Sequence, residues 1–275
     1  MPHLLDEAPA EVVRELKPRL RGWLHTAMAP LALAAGIVLV ALAPTRSGVV
    51  GGAVFLAASV LLFATSGLYH RFYWGPRADG ILRRLDHANI YVFIAATYTP
   101  LALMLLHGGS RVALLVMVWT AALGGLLFRT LWLSAPRWLY TAMYLLMGCS
   151  ALGWIGAFYT TGGPAVVALI LGGGVFYISG AVVYGRKRPD PSPRWFGFHE
   201  IFHACTIGGF VCHYVAISLV TCAARGTFRR PTTAEVARRR KVRQGCVSSA
   251  RSAPGSVTGR RQTYAVGRPS LIASA

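Results

Sequence analysis

The chain has 275 residues, of which 55% are hydrophobic and only 13% are charged, and its mean hydropathy is +0.51. Soluble domains carry roughly 25% charged residues, so this composition excludes an ordinary soluble enzyme and indicates an integral membrane protein. The net charge of +19 is uneven, because residues 223–275 hold 12 Lys and Arg residues and 1 acid. We therefore predict a basic tail and no nucleic-acid-binding domain, which would need a folded basic face.

Apolar runs, each long enough for the roughly 20 residues that a bilayer requires, predict seven transmembrane helices. The runs lie at 22–43, 48–70, 87–107, 112–133, 138–159, 164–184 and 198–221. We expect an all-α integral membrane protein of the cell membrane with an N-terminal segment 1–20, a seven-helix domain 21–222 and a tail 223–275. The N-terminal segment is charged and lacks an apolar core, so we do not expect it to act as a cleavable signal peptide. The tail has no apolar periodicity, so we expect it to be disordered.

Basic residues between the predicted helices indicate how the chain is oriented. They cluster before the first helix, between the second and third, and between the sixth and seventh, whereas the other side holds Arg46, Arg111 and little else. The positive-inside rule therefore predicts a cytoplasmic N-terminus, and seven spans place the C-terminus outside. The basic tail conflicts with this, so either the tail translocates or the last helix does not fully cross. We favour translocation, because the upstream loops agree with one another.

This orientation brings polar side chains from separate segments to the cytoplasmic leaflet. His70 ends the second helix, Asp86 begins the third, and His199 and His203 begin the seventh. The last two are four residues apart, so they project from one helix face and can bind the same ion. Ser66 precedes His70 by the same spacing. Ionisable side chains within a membrane are costly, which predicts a functional site, and histidine and carboxylate ligands fit zinc.

The sequence "HEIFH" at 199–203 also matches the HExxH pattern of zinc proteases, in which Glu200 would be the general base. The metzincin continuation fails at positions 206 and 209, and the only acid downstream is Glu235 in the tail. We therefore do not favour a protease, and the role of Glu200 stays open. Asp86 could instead pair with Arg83 or Arg84. Ser66 could hydrogen-bond the backbone of its own helix.

Other histidines are expected outside the site. His213 follows His203 by ten residues, which places it about 15 Å deeper along the helix, where it cannot share the same ion. We predict a hydrogen-bonded core histidine. His87 neighbours Asp86 but points in another direction, and we predict an interfacial side chain.

Three segments, "SGLYH", "RLDHANIYVFIAATYTP" and "FHEIFHACTIGGFVCHYVAI", closely resemble the hemolysin III family of bacterial membrane proteins. That family is related to the progestin and adipoQ receptors and, more distantly, to alkaline ceramidases. The resemblance covers about residues 15–222. It implies a seven-helix bundle with zinc held by His70, His199 and His203 near the inner leaflet. It also implies that Asp86 contacts the water on the ion and that Ser66 lies nearby.

The resemblance leaves the activity open. We predict a zinc-dependent hydrolase of lipid amide or ester bonds, with Asp86 as general base and Ser66 as a donor to the oxyanion. Three histidines leave one coordination position open, which favours chemistry over a closed structural site. The alternative is a non-enzymatic membrane sensor or a membrane-permeabilising hemolysin with structural zinc. The expected partners are membrane lipids, including a lipid substrate, and no nucleic acid; the sequence does not indicate an oligomeric state.

Overall fold

A computed structural model of the chain describes residues 18–132, 134–192 and 194–229, with the side chains of residues 227–229 left out. Within these residues the fold is all-helical and has no β-strand. The helices are α1 (Trp23–Leu42), α2 (Arg46–Arg71), α3 (Pro76–Leu105), α4 (Gly108–Leu131), α5 (Arg137–Cys149), α6 (Ile155–Arg186) and α7 (Phe198–Arg229). A 3-10 turn, Ser150–Trp154, joins α5 to α6. Most of the predicted N-terminal segment, and the tail beyond residue 229, lie outside the described residues.

Six stretches in the described part of the chain are long and apolar enough to cross a membrane. They are α1, α2, α3, α4, the continuous stretch Arg137–Arg186 formed by α5 and α6, and Phe198–Gly226 of α7. The prediction of a helical membrane protein is therefore confirmed. The runs predicted as separate helices at 138–159 and 164–184 lie in one continuous stretch of 50 residues, and the predicted connection "TTGGP" contains a non-helical residue, Gly163.

Helix α6 is interrupted at Gly163, near the end of the first third of its length. The backbone at Gly163 has φ 82° and ψ 174°, a non-helical conformation that side chains with a Cβ rarely adopt. Pro164 follows directly and has no N–H with which to continue the hydrogen bonds of the preceding turn. Residues on the two sides of Gly163 therefore belong to two helical segments.

Helix α3 begins at Pro76, whereas we expected its start at residue 87. Proline suits the first position of a helix because its φ is already fixed and its missing N–H would have no partner there. Asp79, in the first turn, complements the helix dipole. The segment predicted as a basic connection is thus largely helical, and Asp86 lies well inside α3, where it is buried.

Close packing of α1, α2, α3 and α7 positions the polar residues at one end of the bundle. Below them, the ring of Phe63 in α2 contacts Phe210 in α7 at a centroid distance of 5.2 Å. Gly67, between Ser66 and His70, faces α1. A Cβ there would lie 2.8 Å from Oγ1 and 2.9 Å from the backbone nitrogen of Thr26, so only glycine lets the two helices approach this closely.

Candidate metal centre

Histidines from the end of α2 and the start of α7 meet at this end of the bundle. His70, His199 and His203 each present one ring nitrogen, and these atoms all lie within 4.8 Å of one another. His199 and His203 are one turn apart on α7, so both rings face the same side of the helix. His70 is 7% exposed and His203 is 2% exposed. The three side chains could hold a metal ion.

The spacing of one pair of ring nitrogens is compatible with tetrahedral metal binding. The Nε2 atoms of His70 and His199 are 3.3 Å apart. In a tetrahedral site with Zn–N distances of about 2.0–2.1 Å, two ligand nitrogens are separated by about 3.3–3.4 Å. Imidazole is also a common zinc ligand. The chemistry of the three side chains and the spacing of this pair are therefore compatible with zinc, and all three ligand atoms lie within 4.8 Å of one another.

Asp86 faces these histidines. Its Oδ2 lies 3.4 Å from Nε2 of His70 and 3.7 Å from Nδ1 of His87. None of the ion pairs in the described part of the chain joins Asp86 to Arg83 or Arg84. Arg84 instead donates to backbone carbonyl groups. The geometry therefore favours a role for Asp86 in the site over the alternative of an ion pair with a neighbouring arginine.

Ser66 is located one turn before His70 on α2 and is 2% exposed. Its side chain lines the same cavity as Asp86 and the three histidines, although Ser66 and Asp86 come from different helices.

Glu200 does not belong to the cluster, although it lies between two of its histidines in the sequence. Its carboxylate is 1% exposed and forms an ion pair with Arg21, which precedes α1. The second oxygen accepts a hydrogen bond from the backbone nitrogen of Gly197 at 2.8 Å. A protease base would need a carboxylate oxygen directed at the reacting water. Both oxygens of Glu200 have other partners, and the protease interpretation is therefore not supported.

Two further histidines lie at the site. The ring of His25, in the first turn of α1, stacks on His203 at a centroid distance of 3.8 Å and an interplanar angle of 10°. His25 is 3% exposed. We had not singled it out, although α1, α3 and α7 were all predicted to begin at the same leaflet. We predicted that the side chain of His87 points away from the site. This was wrong, because the side chain lines the same cavity as the cluster.

A cavity of about 480 Å³ extends from the histidines into the bundle. Its outer end is lined by the histidine cluster, Ser66 and Asp86, and its inner part reaches Tyr177 and His213. Most of the side chains between these ends are apolar. The cavity is therefore a long apolar chamber, and the polar residues at one end of it could bind a metal ion.

The comparison with protein families agrees with this arrangement. The family model described as Haemolysin-III related matches residues 13–214. The chain belongs to the hemolysin III family. The match runs from before α1 into the middle of α7 and confirms the resemblance that the three sequence segments predicted.

Individual relatives of this hemolysin III protein are similar at about the same level. The Hemolysin-3 homolog of Bacillus subtilis (strain 168) is 32% identical over 170 residues, which cover 62% of this chain and 76% of the relative. Hemolysin-3 of Bacillus cereus is 32% identical over 166 residues, with coverages of 60% and 72%. The Heptahelical transmembrane protein ADIPOR2 of Oryza sativa subsp. japonica is 31% identical over 185 residues, with coverages of 61% and 80%.

Proposed function

We propose that this hemolysin III family protein is a zinc-dependent hydrolase of lipid amide or ester bonds. The observation that carries the proposal is the meeting of three histidines and Asp86 at the polar end of a mainly apolar cavity. A structural zinc site normally has four protein ligands, whereas three histidines leave a position for water or substrate. A buried lipid chain would occupy the cavity, and its amide or ester group would lie at the histidines.

The polar residues take separate roles in this proposal. His70, His199 and His203 hold the ion, which when bound lowers the pKa of a water ligand toward about 7 and polarises a carbonyl group. Asp86 accepts the proton of the attacking water and passes it to the leaving amine or alcohol. Ser66 donates a hydrogen bond to the oxygen on which negative charge develops.

The size and lining of the cavity support a lipid as the substrate. Its volume of about 480 Å³ is within the range of about 300–1,000 Å³ that small-molecule sites occupy. The apolar side chains between its two ends suit an acyl chain, since they offer few hydrogen bonds to a polar molecule. The proposal thus limits the substrate to a lipid with one hydrolysable polar group near the end of a chain.

We also propose a seven-crossing topology in the cell membrane, with the N-terminus in the cytoplasm. The number of membrane crossings between His70 and His199 supports seven crossings. His70 ends α2 and His199 begins α7, and the two side chains meet, so the chain between them crosses an even number of times. Since α3 and α4 make two crossings, the stretch Arg137–Arg186 makes two more. Its 50 residues would extend about 75 Å as one straight helix, whereas the bilayer core is about 30 Å thick.

Reporter fusions test this topology. Alkaline phosphatase, which is active only outside the cytoplasm, would be inserted at Gly163 or at Asp190. The seven-crossing topology predicts activity at Gly163 and none at Asp190. Activity at Asp190 would mean that Arg137–Arg186 crosses once, and it would contradict the proposed orientation of α7.

The enzyme proposal is tested on purified protein in lipid nanodiscs by following the release of fatty acid from ceramide and from ester lipids. We expect Asp86→Asn to keep its zinc and to lose turnover by about 10²–10⁴-fold. Asp79→Asn, a carboxylate of α3 outside the cavity, is the matched control and should retain turnover. Glu200→Gln should also retain turnover per folded molecule. If no lipid is hydrolysed faster by wild type than by chelated protein, the sensor or permeabilising alternative replaces the enzyme proposal.

A further inference from the structure

Two residues deep in the cavity each have a buried polar atom without a hydrogen-bond partner in the described part of the chain. The atoms are Nδ1 of His213, on α7, and the hydroxyl oxygen of Tyr177, on α6. Both residues line the cavity, and their ring centroids are 5.5 Å apart. We call Tyr177 and His213 the inner pair. Buried polar atoms almost always have a partner in folded proteins, so these two require an explanation.

The hydrogen bonds of His213 determine what its free nitrogen can bind. Nε2 lies 3.2 Å from the carbonyl oxygen of Ile170. A carbonyl group only accepts hydrogen bonds, so in the neutral ring Nε2 carries the hydrogen and Nδ1 is an acceptor. The prediction that His213 is a hydrogen-bonded core histidine therefore accounts for one of its nitrogens but not for the other.

The partner of the inner pair must be able to donate a hydrogen bond. It donates to Nδ1 of His213, and it accepts from the tyrosine hydroxyl, which can itself donate or accept. A hydroxyl group can do both at once. A carbonyl group cannot donate, and a methylene group forms neither bond. The free atoms of the inner pair are thus complementary to an alcohol.

Neighbouring glycines hold both rings of the inner pair in place. A Cβ at Gly173 would lie 2.6 Å from Nε2 of His213, and one at Gly209 would lie 2.5 Å from Cζ of Tyr177. Each ring therefore packs directly on the backbone of the facing helix. Another hydroxyl of the cavity wall, that of Thr97, already donates to the carbonyl oxygen of Phe93 at 2.8 Å. The inner pair differs from Thr97 in having buried atoms without a partner among the described residues, a property that it shares with His25 and Thr141 in the cavity lining.

The distance between the histidine cluster and the inner pair determines which carbon of a lipid chain would carry the hydroxyl group. His213 follows His203 by ten residues on the same helix. This separation corresponds to about 15 Å, a distance that roughly twelve carbon–carbon bonds of an extended chain would cover. A lipid whose polar end is at the histidine cluster would therefore present its mid-chain carbons to the inner pair.

We propose that the inner pair binds a hydroxyl group in the middle of an acyl chain, so that the ligand of this protein is a mid-chain hydroxylated lipid. The proposal rests on the proposed function for the position of the polar end at the histidines. Recognition of the hydroxyl group itself requires no turnover.

Binding of three fatty acids tests the inference. Stearic acid, its mid-chain hydroxylated form and the isomer hydroxylated next to the carboxyl group would each displace a fluorescent fatty acid from zinc-loaded protein in nanodiscs. We expect the mid-chain isomer to bind about tenfold more tightly than stearic acid, as two additional hydrogen bonds of ordinary strength predict. The isomer hydroxylated next to the carboxyl group should show no such gain.

Two tyrosine variants test whether the preference for the mid-chain isomer depends on the hydroxyl group of Tyr177. Tyr177→Phe keeps the ring and removes the hydroxyl, so one of the two hydrogen bonds is lost and the mid-chain preference should fall to about threefold. Tyr214→Phe is the matched control, because the Tyr214 hydroxyl donates to the carbonyl oxygen of Ala35 at 3.1 Å and does not line the cavity. It should retain the full preference.

The outcomes separate this inference from the enzyme proposal. Equal affinity of wild type for all three fatty acids would show that the inner pair holds water only and would overturn the inference. A preference that persists unchanged in Tyr177→Phe would also overturn it. Hydrolysis of lipids without any mid-chain preference in binding would leave the proposed function intact. A binding preference in a protein that hydrolyses no lipid would support the inner pair and contradict the enzyme proposal.

Discussion

Arg21 and Glu200, which are 179 residues apart in the sequence, form an ion pair that joins the segment before α1 to the first turn of α7. The carboxylate of Glu200 is 1% exposed, while the side chain of Arg21 is 20% exposed. Glu200 lies between His199 and His203 in the sequence, so this pair ties the turn of α7 that carries both imidazoles to the segment before α1. The glutamate of the HExxH pattern thus has a structural explanation here.

Replacement of Arg21 by Gln should destabilise the protein strongly, because it leaves the buried carboxylate of Glu200 without its cation. Breaking a buried pair typically costs 3–5 kcal/mol, and the partial exposure of Arg21 places our expectation at about 3 kcal/mol of unfolding free energy. Denaturant unfolding in mixed micelles measures the change. Arg77→Gln, which alters an exposed arginine of α3, serves as control and should stay within about 0.5 kcal/mol of wild type. Equal stability of the two variants would contradict this role of the pair.

Zinc content should be about one ion per chain by elemental analysis of purified protein. His70→Ala and the double variant His199→Ala/His203→Ala should lose the ion, because each leaves too few ligands at the site. His107→Ala, which alters an exposed histidine before α4, should retain it. Full zinc occupancy in His70→Ala would exclude His70 from the site.

Chelation should lower the thermal stability of the protein and abolish the difference between wild type and His70→Ala. A ligand that binds only the folded state stabilises it by mass action, and the ion joins helices that are far apart in the sequence. Thermal melts with and without a zinc chelator measure the effect. A chelator that lowers the melting temperature of His70→Ala by as much as that of wild type would point to a different metal site.

His25 should act on the metal through its ring and not as a ligand. His25→Ala removes the ring that stacks on His203, and we expect zinc affinity to fall about tenfold, as for other residues that support metal ligands. His25→Phe keeps a ring at the same place and should recover most of the affinity. Competition with a zinc-binding dye compares the two variants. Equal losses in both would mean that the ring nitrogens, and not the stacking, are required.

Gly67 should tolerate no side chain. Gly67→Ala places a methyl group against the backbone of Thr26, and overpacking of this kind costs about 1–3 kcal/mol. Gly124→Ala is the matched control on α4, where an added Cβ meets no atom within 4 Å. It should be neutral or stabilise the helix by up to about 1 kcal/mol. If Gly67→Ala proved as stable as Gly124→Ala, α1 and α2 could not be packed as closely as described.

Hydropathy predicts where most helices lie, because a bilayer requires long apolar runs. The bounds of α1, α2 and α4 differ from the expected ones by a few residues. The early start of α3 could not be predicted in this way, since its first turns are polar and carry Arg83 and Arg84. The connection expected at 160–164 corresponds to the non-helical backbone of Gly163, although Arg137–Arg186 is one continuous stretch.

The sequence also indicates which residues could meet, but not how each side chain is directed. Assigning helix ends to one leaflet is sufficient to bring His70, Asp86, His199 and His203 together. The same reasoning applies to His25, which we did not identify, and to His87, whose direction we predicted wrongly. A position along the membrane normal does not fix rotation about the helix axis, and that rotation depends on tertiary contacts such as the ion pair of Glu200.

The origin of the metal ligands in α2 and α7 has a consequence for biosynthesis. Chains are made from the N-terminus, so α2 and α3 are synthesised long before α7. A nascent chain that has not reached residue 199 contains His70 and Asp86 but only one of the three histidines of the site. If these histidines hold the proposed ion, they can bind it only when synthesis has passed residue 203 and α7 has docked. A protein that contains the metal has, for that reason, already passed through the whole of its assembly.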